Sequence, residues 1–238
     1  MTTEFPQWWS QWREAEGVTV FHVDLAPDAD REVNALTLLD DQERIRADRF
    51  IAIGARRHFA LCRAALRVIL AERLDCQNDQ LAFGHGEHGK PFALVNGRRV
   101  KAGFNVSHSG RHGLIATAAH LRLGVDVEER VPGRDLDGIG SMVFGPTERR
   151  LLAQAGGPQE LCLFYRIWSL KEALIKAAGT GIFLNPSGFE VPERMLNGAR
   201  SGKFRYPHGS SGSWRLIDLG EDRFAAAVAY GLSEACRN

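Results

Sequence analysis

A run of strand, short helix and long helix occurs twice along this chain, and any fold has to accommodate both copies. Val23-Asp24-Leu25 is echoed by Val125-Asp126-Val127, Glu43-Arg44 by Glu148-Arg149, and Ala64-Ala65-Leu66 by Glu172-Ala173-Leu174. The first copy begins in the β-rich stretch 18–25, continues through the polar segment 40–50, and reaches 55–74. There Phe59, Cys62, Leu66, Ile69 and Leu70 fall on one helical face. The second copy runs from the strand 121–128 through a helix opened by Pro146 and Thr147 to a longer helix over 160–178. The repetition suggests two related halves, 1–115 and 116–238, packed about a pseudo-two-fold axis. A ligand site is expected in the cleft between them, a common place for one. The echo is uneven. Ala26 and Ala64 stand where the second copy has Glu128 and Glu172, so only the second half keeps all its carboxylates.

Short strands are also predicted over 104–107, 114–119 and 224–230, with turns at 84–91 and at Asn96-Gly97. The region 185–223 reads as loop and strand, with a Gly/Ser segment at 209–213. A chain of 238 residues is long enough for two compact halves with a substantial shared core. Its formal net charge of +1 gives no global field toward nucleic acid or an anionic membrane. The four cysteines form no CxxC pair and no histidine sits at finger spacing, which argues against a zinc site and a disulfide scaffold. Three of them fall in apolar helical stretches, where cysteine behaves as a small hydrophobe. The N-terminal stretch carries Glu4, Trp8, Trp9 and Trp12 with no basic region leading into an apolar run, and no segment suits a bilayer. A cytoplasmic chain is expected, and a monomer, because a pseudo-dimer has less need of a partner.

Four motifs carry candidate chemistry. In Gly124–Arg130 (GVDVEER) a strand places Asp126 and Glu128 on one face, and two carboxylates so spaced repel unless a cation sits between them. Oxygen-only ligands favour a hard cation such as magnesium, although a solvated strand face is the commoner meaning of any D-x-E. In Trp168–Gly179 (WSLKEALIKAAG) the residues Trp168, Glu172 and Lys176 stack at four-residue spacing. Glu172 and Lys176 suit a helical ion pair worth ~0.2–0.5 kcal/mol. In the functional reading Glu172 is a third metal carboxylate or a base, and Lys176 or Lys171 faces phosphate. In Phe104–Gly110 (FNVSHSG) Ser107 and His108 end a strand and enter a turn, so that both can reach a ligand. His108 suits a phosphate donor or a proton carrier, and Lys90 of the upstream Gly-Lys-Pro suits a phosphate. The turn's own backbone could equally occupy Ser107 and His108, and no GxSxG elbow surrounds the serines. Finally, Arg44, Arg46, Arg49, Arg56, Arg57 and His58 form a basic cluster. It lacks the interleaved aromatics of a single-strand nucleic-acid platform and suits a compact polyanion, unless it is simply a solvated face.

Taken in order, GKP, F-N-x-S-H-S, G-x-D-x-E and W-S-x-K-E-x-x-x-K make the chain resemble the surfactin-type, broad-specificity 4′-phosphopantetheinyl transferase family. The resemblance runs from about Arg44 to Phe189, including F-G-P-T-E-R at 144–149, and is loose elsewhere. It implies an α+β fold, a pseudo-two-fold dimer of two similar α/β halves, in agreement with the repeat. It implies magnesium held by Asp126, Glu128 and Glu172 against the pyrophosphate of coenzyme A. Lys90, Ser107, His108 and Lys176 would contact the phosphates, and Arg44, Arg46, Arg56 and Arg57 would lie near the adenosine end and its 3′-phosphate. The family usually offers a small polar or basic residue around His58-Phe59, where this chain departs.

The implied reaction moves the phosphopantetheine arm onto a serine of an apo acyl or peptidyl carrier protein and releases 3′,5′-ADP, with Glu172 as candidate base. A metal-bound water is the competing base. The loop 132–144, with Met142 and Phe144, is a candidate docking edge for the carrier, unless those side chains are core. Two rivals use the same residues: a metal-dependent phosphodiesterase, which would hydrolyse pyrophosphate without any carrier, and a non-catalytic coenzyme A or nucleotide-binding module. The intact carboxylate set speaks against the second.

Overall fold

The computed structural model describes residues 7–86, 88–119, 122–132, 136–179, 185–207 and 212–232. By compactness the chain forms two units, residues 1–87 with 91–120, and residues 88–90 with 121–238.

The first unit opens with a hairpin of β1 (Trp9–Ala15) and β2 (Val18–Asp24). Asp28 then caps α1 (Ala29–Leu38) by accepting the Arg31 amide. Asp40 caps α2 (Asp41–Asp48) in a capping box with Glu43, which satisfies two end amides reciprocally. The long helix α3 (Ile53–Arg73) follows. A small antiparallel sheet comprises β3 (Leu81–His85), β4 (Pro91–Val95) and β5 (Arg98–Arg99), with Asn96 and Gly97, both at positive φ, turning the second hairpin. Last come β6 (Gly103–Ser109) and β7 (His112–Ala118). The main sheet runs β1-β2-β7-β6, all antiparallel, and α3 covers it with Leu61, Cys62, Leu66, Ile69 and Leu70 buried. Four of the five apolar positions expected to share a face of α3 are thus in the core, and Phe59 packs partly buried against it.

The second unit repeats the plan. Its elements are β8 (Leu123–Glu129), α4 (Leu136–Val143), α5 (Pro146–Ala155), α6 (Gly157–Ala178), α7 (Glu193–Leu196), β9 (Ser201–Phe204), β10 (Ser213–Asp218) and β11 (Phe224–Leu232). The sheet runs β8-β11-β10-β9, again antiparallel, with β8 at its edge. The long helix α6 packs on β8, β11 and β10. Alanines at 225, 227 and 229 make the inner face of β11 thin enough for that helix to lie close, and Phe164, Ile167, Leu170, Leu174 and Trp214 fill the space around it. Each half is therefore a four-stranded antiparallel sheet covered by one long helix; the repeat predicts the strand, short helix and long helix of each half, and the other strands of the two sheets come from outside it.

Several expectations need correction. The join expected near residue 115 falls inside β7, a strand paired on both sides, and the division comes at 120 instead. Ser107 and His108 do not enter a turn. Both lie within β6, whose alternation buries Ser107 and exposes His108 on the other face. The stretch expected to be a docking loop is largely α4. Met142 is exposed there, but Phe144 is core, edge-on to Phe164. Strand β1 and helix α1 were not anticipated. The Gly/Ser residues 209–211 and Cys236 lie outside the described residues. Among the described residues no helix is long and apolar enough to cross a membrane.

Candidate active site

Strand alternation puts Gly124, Asp126 and Glu128 on the same face of β8. That face meets α6. A Cβ on Gly124 would stand 2.3 Å from the Ala173 carbonyl oxygen and from the Ala177 nitrogen, so only glycine lets strand and helix come this close. Farther along the same face, Lys176 donates to Asp126 Oδ1 at 2.7 Å, and the Trp168 indole N–H donates to Glu128 Oε1 at 3.1 Å. Glu172 lies between Trp168 and Lys176 on the helix, one turn from each. The four-residue spacing read from the sequence therefore has a purpose: it matches one face of a helix to alternate residues of a strand. The ammonium of Lys176 reaches across to the strand carboxylate, where a simple surface pair with Glu172 had been one expectation.

Asp126 is almost completely buried, and Glu128 and Glu172 are half-buried. Burial, with the negative charge of Asp126 behind it, pushes the Glu172 carboxyl above its ordinary value; Lys176 pulls it back down and Glu128 pushes it further up. Like-charge repulsion of this kind marks a place that gains from a cation. Among the described residues no three carboxylate, histidine or cysteine side chains are gathered as a ready-made metal cage. The donor set still suits magnesium, which prefers oxygen and is held by one or two carboxylates with water and phosphate completing its shell.

Two lysines are not where the sequence reading put them. Lys171 is fully buried, donating to Glu148 Oε2 at 2.5 Å and to the Phe189 carbonyl at 2.6 Å. Glu148 also accepts the amides of Gly145 and Val191. Lys171 thus anchors α5 to α6 and does not face a phosphate. Lys90 donates to three carbonyls, those of Leu123 and Lys176 at 2.9 Å and of Ala177 at 3.1 Å. Burial, helped by the nearby charge of Arg122, draws its ammonium down to about 8. All three of its protons point into protein, so the expected phosphate contact is replaced by a backbone one.

In the first unit, the basic cluster is interlaced with acids and rings. Arg44 donates to Asp41 at 2.5 Å, Arg56 pairs with Asp48 at 2.9 Å, and Arg57 with Glu32 at 3.6 Å. The Arg46 guanidinium lies 5.1 Å from the centre of the Phe59 ring. The first two pairs are exposed and contribute only ~0–1 kcal/mol each, while the third is partly buried. His58 on α3 and His108 on β6 bring their rings within 5.3 Å of each other.

Comparison with known proteins fits both units. Residues 122–229 match the 4′-phosphopantetheinyl transferase superfamily, and residues 25–120 match the N-terminal 4′-phosphopantetheinyl transferase family. The chain is 36% identical to slr0495 of Synechocystis sp., over 83% of this chain and 81% of that one. It is 33% identical to the 4′-phosphopantetheinyl transferase HetI of Nostoc sp., over 85% and 82%. This chain belongs to the 4′-phosphopantetheinyl transferase superfamily. Sfp of Bacillus subtilis, another 4′-phosphopantetheinyl transferase, is 27% identical over 66% of this chain and 67% of its own.

Within this superfamily member the sequence reading left three contributors without a role. Trp168 was noted for its spacing only, although a tryptophan one turn from a glutamate and facing a D-x-E strand has an indole donor to place. Arg63 lies over the Phe83 ring at 4.4 Å and pairs with Glu43 at 3.5 Å. Arg67, which is buried, bonds Glu43, Asp40 and Asn78. Neither arginine stood out in a helix read mainly for its apolar face.

Proposed function

We propose that the protein transfers the 4′-phosphopantetheine arm of coenzyme A to a serine of an apo acyl or peptidyl carrier protein, releasing 3′,5′-ADP. The observation that carries this reading is the meeting of β8 and α6, where Asp126, Glu128, Glu172 and Lys176 are brought to one surface. Asp126, Glu128 and Glu172 are the proposed magnesium ligands. Magnesium, when bound, supplies charge neutralisation for the pyrophosphate. The carrier's serine oxygen attacks the β-phosphorus, the pyrophosphate P–O bond breaks, and 3′,5′-ADP carries the bonding electrons away. Glu172 takes the serine proton as general base. Lys176 offers its ammonium to the charge developing on the phosphoryl oxygens. Ser107 and His108, with Arg44, Arg46, Arg56 and Arg57, are proposed to meet the remaining phosphates of coenzyme A, and α4 with Met142 to meet the carrier. A broad, surfactin-type choice of carriers, action as a single chain in the cytoplasm, and no nucleic-acid or membrane partner complete the reading.

The test is to incubate the protein with coenzyme A, magnesium and a panel of apo carriers, and to weigh the carriers. Wild type should add one phosphopantetheine per carrier serine, and chelator should stop it. Glu172→Gln should cut turnover ~100-fold or more. Its melting temperature should hold or rise. The Glu172 pKa is raised above 4.5, so its contribution to stability is full below 4.5 and lost as pH climbs through the raised value. A neutral glutamine avoids that loss. Wild-type turnover in Glu172→Gln would remove this residue from the mechanism.

A further inference from the structure

We infer that Lys90 is a positioning residue: its ammonium caps the C-terminal end of α6 and fixes that end against the start of β8. This role goes beyond the proposed function and rests on it only for its effect on turnover. The last four carbonyls of a helix have no partner within it. In α6, which ends at Ala178, the carbonyls of Lys176 and Ala177 are two of these, and both accept from Lys90 Nζ. The third acceptor is the carbonyl of Leu123, the first residue of β8.

An ammonium has three protons on one compact centre, and here three carbonyls converge on it. Its positive charge also sits where the helix dipole is negative. The flanking chain is shaped for this. Gly89, at φ +78°, turns the backbone just before Lys90. Gly179, at φ +73°, closes the helix in the left-handed conformation, and even a Cβ there would come within 3.1 Å of Lys90 Cδ. The residues tied by this one side chain are Lys176 itself and its neighbour Ala177, four and five residues beyond Glu172 on the helix, and Leu123, three residues from Asp126 on the strand. Burial draws the Lys90 ammonium down only to about 8, which leaves it protonated at neutral pH, as the three acceptors require.

Capping and phosphate contact make opposite predictions for two variants. An arginine serves a phosphate at least as well as a lysine, through its planar fork. Its donors are spread over that fork and cannot converge on the one point where these three carbonyls meet, so it does not restore this cap. The experiment measures amide hydrogen exchange without any substrate, and kcat and KM for coenzyme A, in wild type, Lys90→Met and Lys90→Arg. With Lys90→Met, amides 176–179 should exchange ~10-fold faster or more while β11 stays protected. The same variant should lose ~10-fold in kcat, with KM for coenzyme A changed much less, because misplacement by a fraction of an ångström is costly to chemistry. Lys90→Arg should restore neither. A raised KM with kcat kept and full rescue by arginine would overturn the inference in favour of a phosphate contact. Unchanged exchange at 176–179 would overturn it outright, and so would faster exchange with both kinetic constants intact, since the residue would then only stabilise. If wild type modified no carrier, the proposed function would fail, and the exchange measurement would still decide the capping role.

Discussion

The two halves share a device and differ in what they do with it. In the first, Glu43 near the start of α2 meets Arg63 of α3; in the second, Glu148 near the start of α5 meets Lys171 of α6. These are the residues placed in register by the sequence echo, and in both halves the pair is largely removed from water. The strand aspartates are also in register, but their surroundings diverge. Asp24 is 46% exposed in its side chain and pairs with Arg31 of the helix that follows it, whereas Asp126 is 3% exposed and pairs with Lys176 of the long helix. Where α6 has Glu172, α3 has Ala64. The ion pair between short and long helix is therefore scaffold, kept in both halves. The carboxylate surface is an addition to one of them.

The comparison breaks most easily at the buried pair. Lys171→Met strands Glu148 without its cation in the core and should cost ~3–5 kcal/mol, read from denaturant unfolding. Arg63→Met should cost less, since Arg63 and Glu43 sit 3.5 Å apart and Arg67 also holds Glu43. Equal losses would mean that the two pairs are equally buried in effect, and the proposed asymmetry would go.

Next in size is the strand pair. Asp126→Asn should lower carrier modification ~100-fold, and Asp24→Asn should leave it within about twofold, a contrast of at least ~2.3 kcal/mol in the barrier. Comparable losses in both would show that the first half carries chemistry of its own.

The smallest effect sharpens the contrast between the long helices. Cys62 is buried on α3 with its thiol pushed up to about 12 by burial, while Cys162 is exposed on α6. Iodoacetamide on the native protein should label Cys162 and spare Cys62, with peptide mass spectrometry as the readout; denaturant should expose both. Native labelling of Cys62 would mean that α3 opens far more readily than its packing implies.

How much of this was legible follows from how local each signal is. The repeat, the long helices and the Asp126/Glu128 face could be read because periodicity and alternation are properties of neighbouring residues. Strand β1 was hidden because W-S-Q-W-R-E-A has no clean alternation. Its setting depends on a distant contact too: Trp8, just before it, donates to the Leu61 carbonyl. Lys90 and Lys171 were read as phosphate contacts because a lysine in a motif announces its charge and not its direction. Their partners are backbone carbonyls and a buried glutamate remote in sequence, and only the folded chain brings those together.

Gly124 carries no side chain, yet it governs how far this site can drift. Restoring ordinary contact around even one added methyl would push β8 and α6 apart by about 1 Å. That shift would move Asp126 and Glu128 away from Lys176, Trp168 and Glu172 together, as a ruler slides all its marks at once. Substitutions among the carboxylates change one ligand each, but a substitution here rescales every distance in the set. The tuning of this centre is therefore confined to side chains, because the gap between the two backbones is already at its minimum.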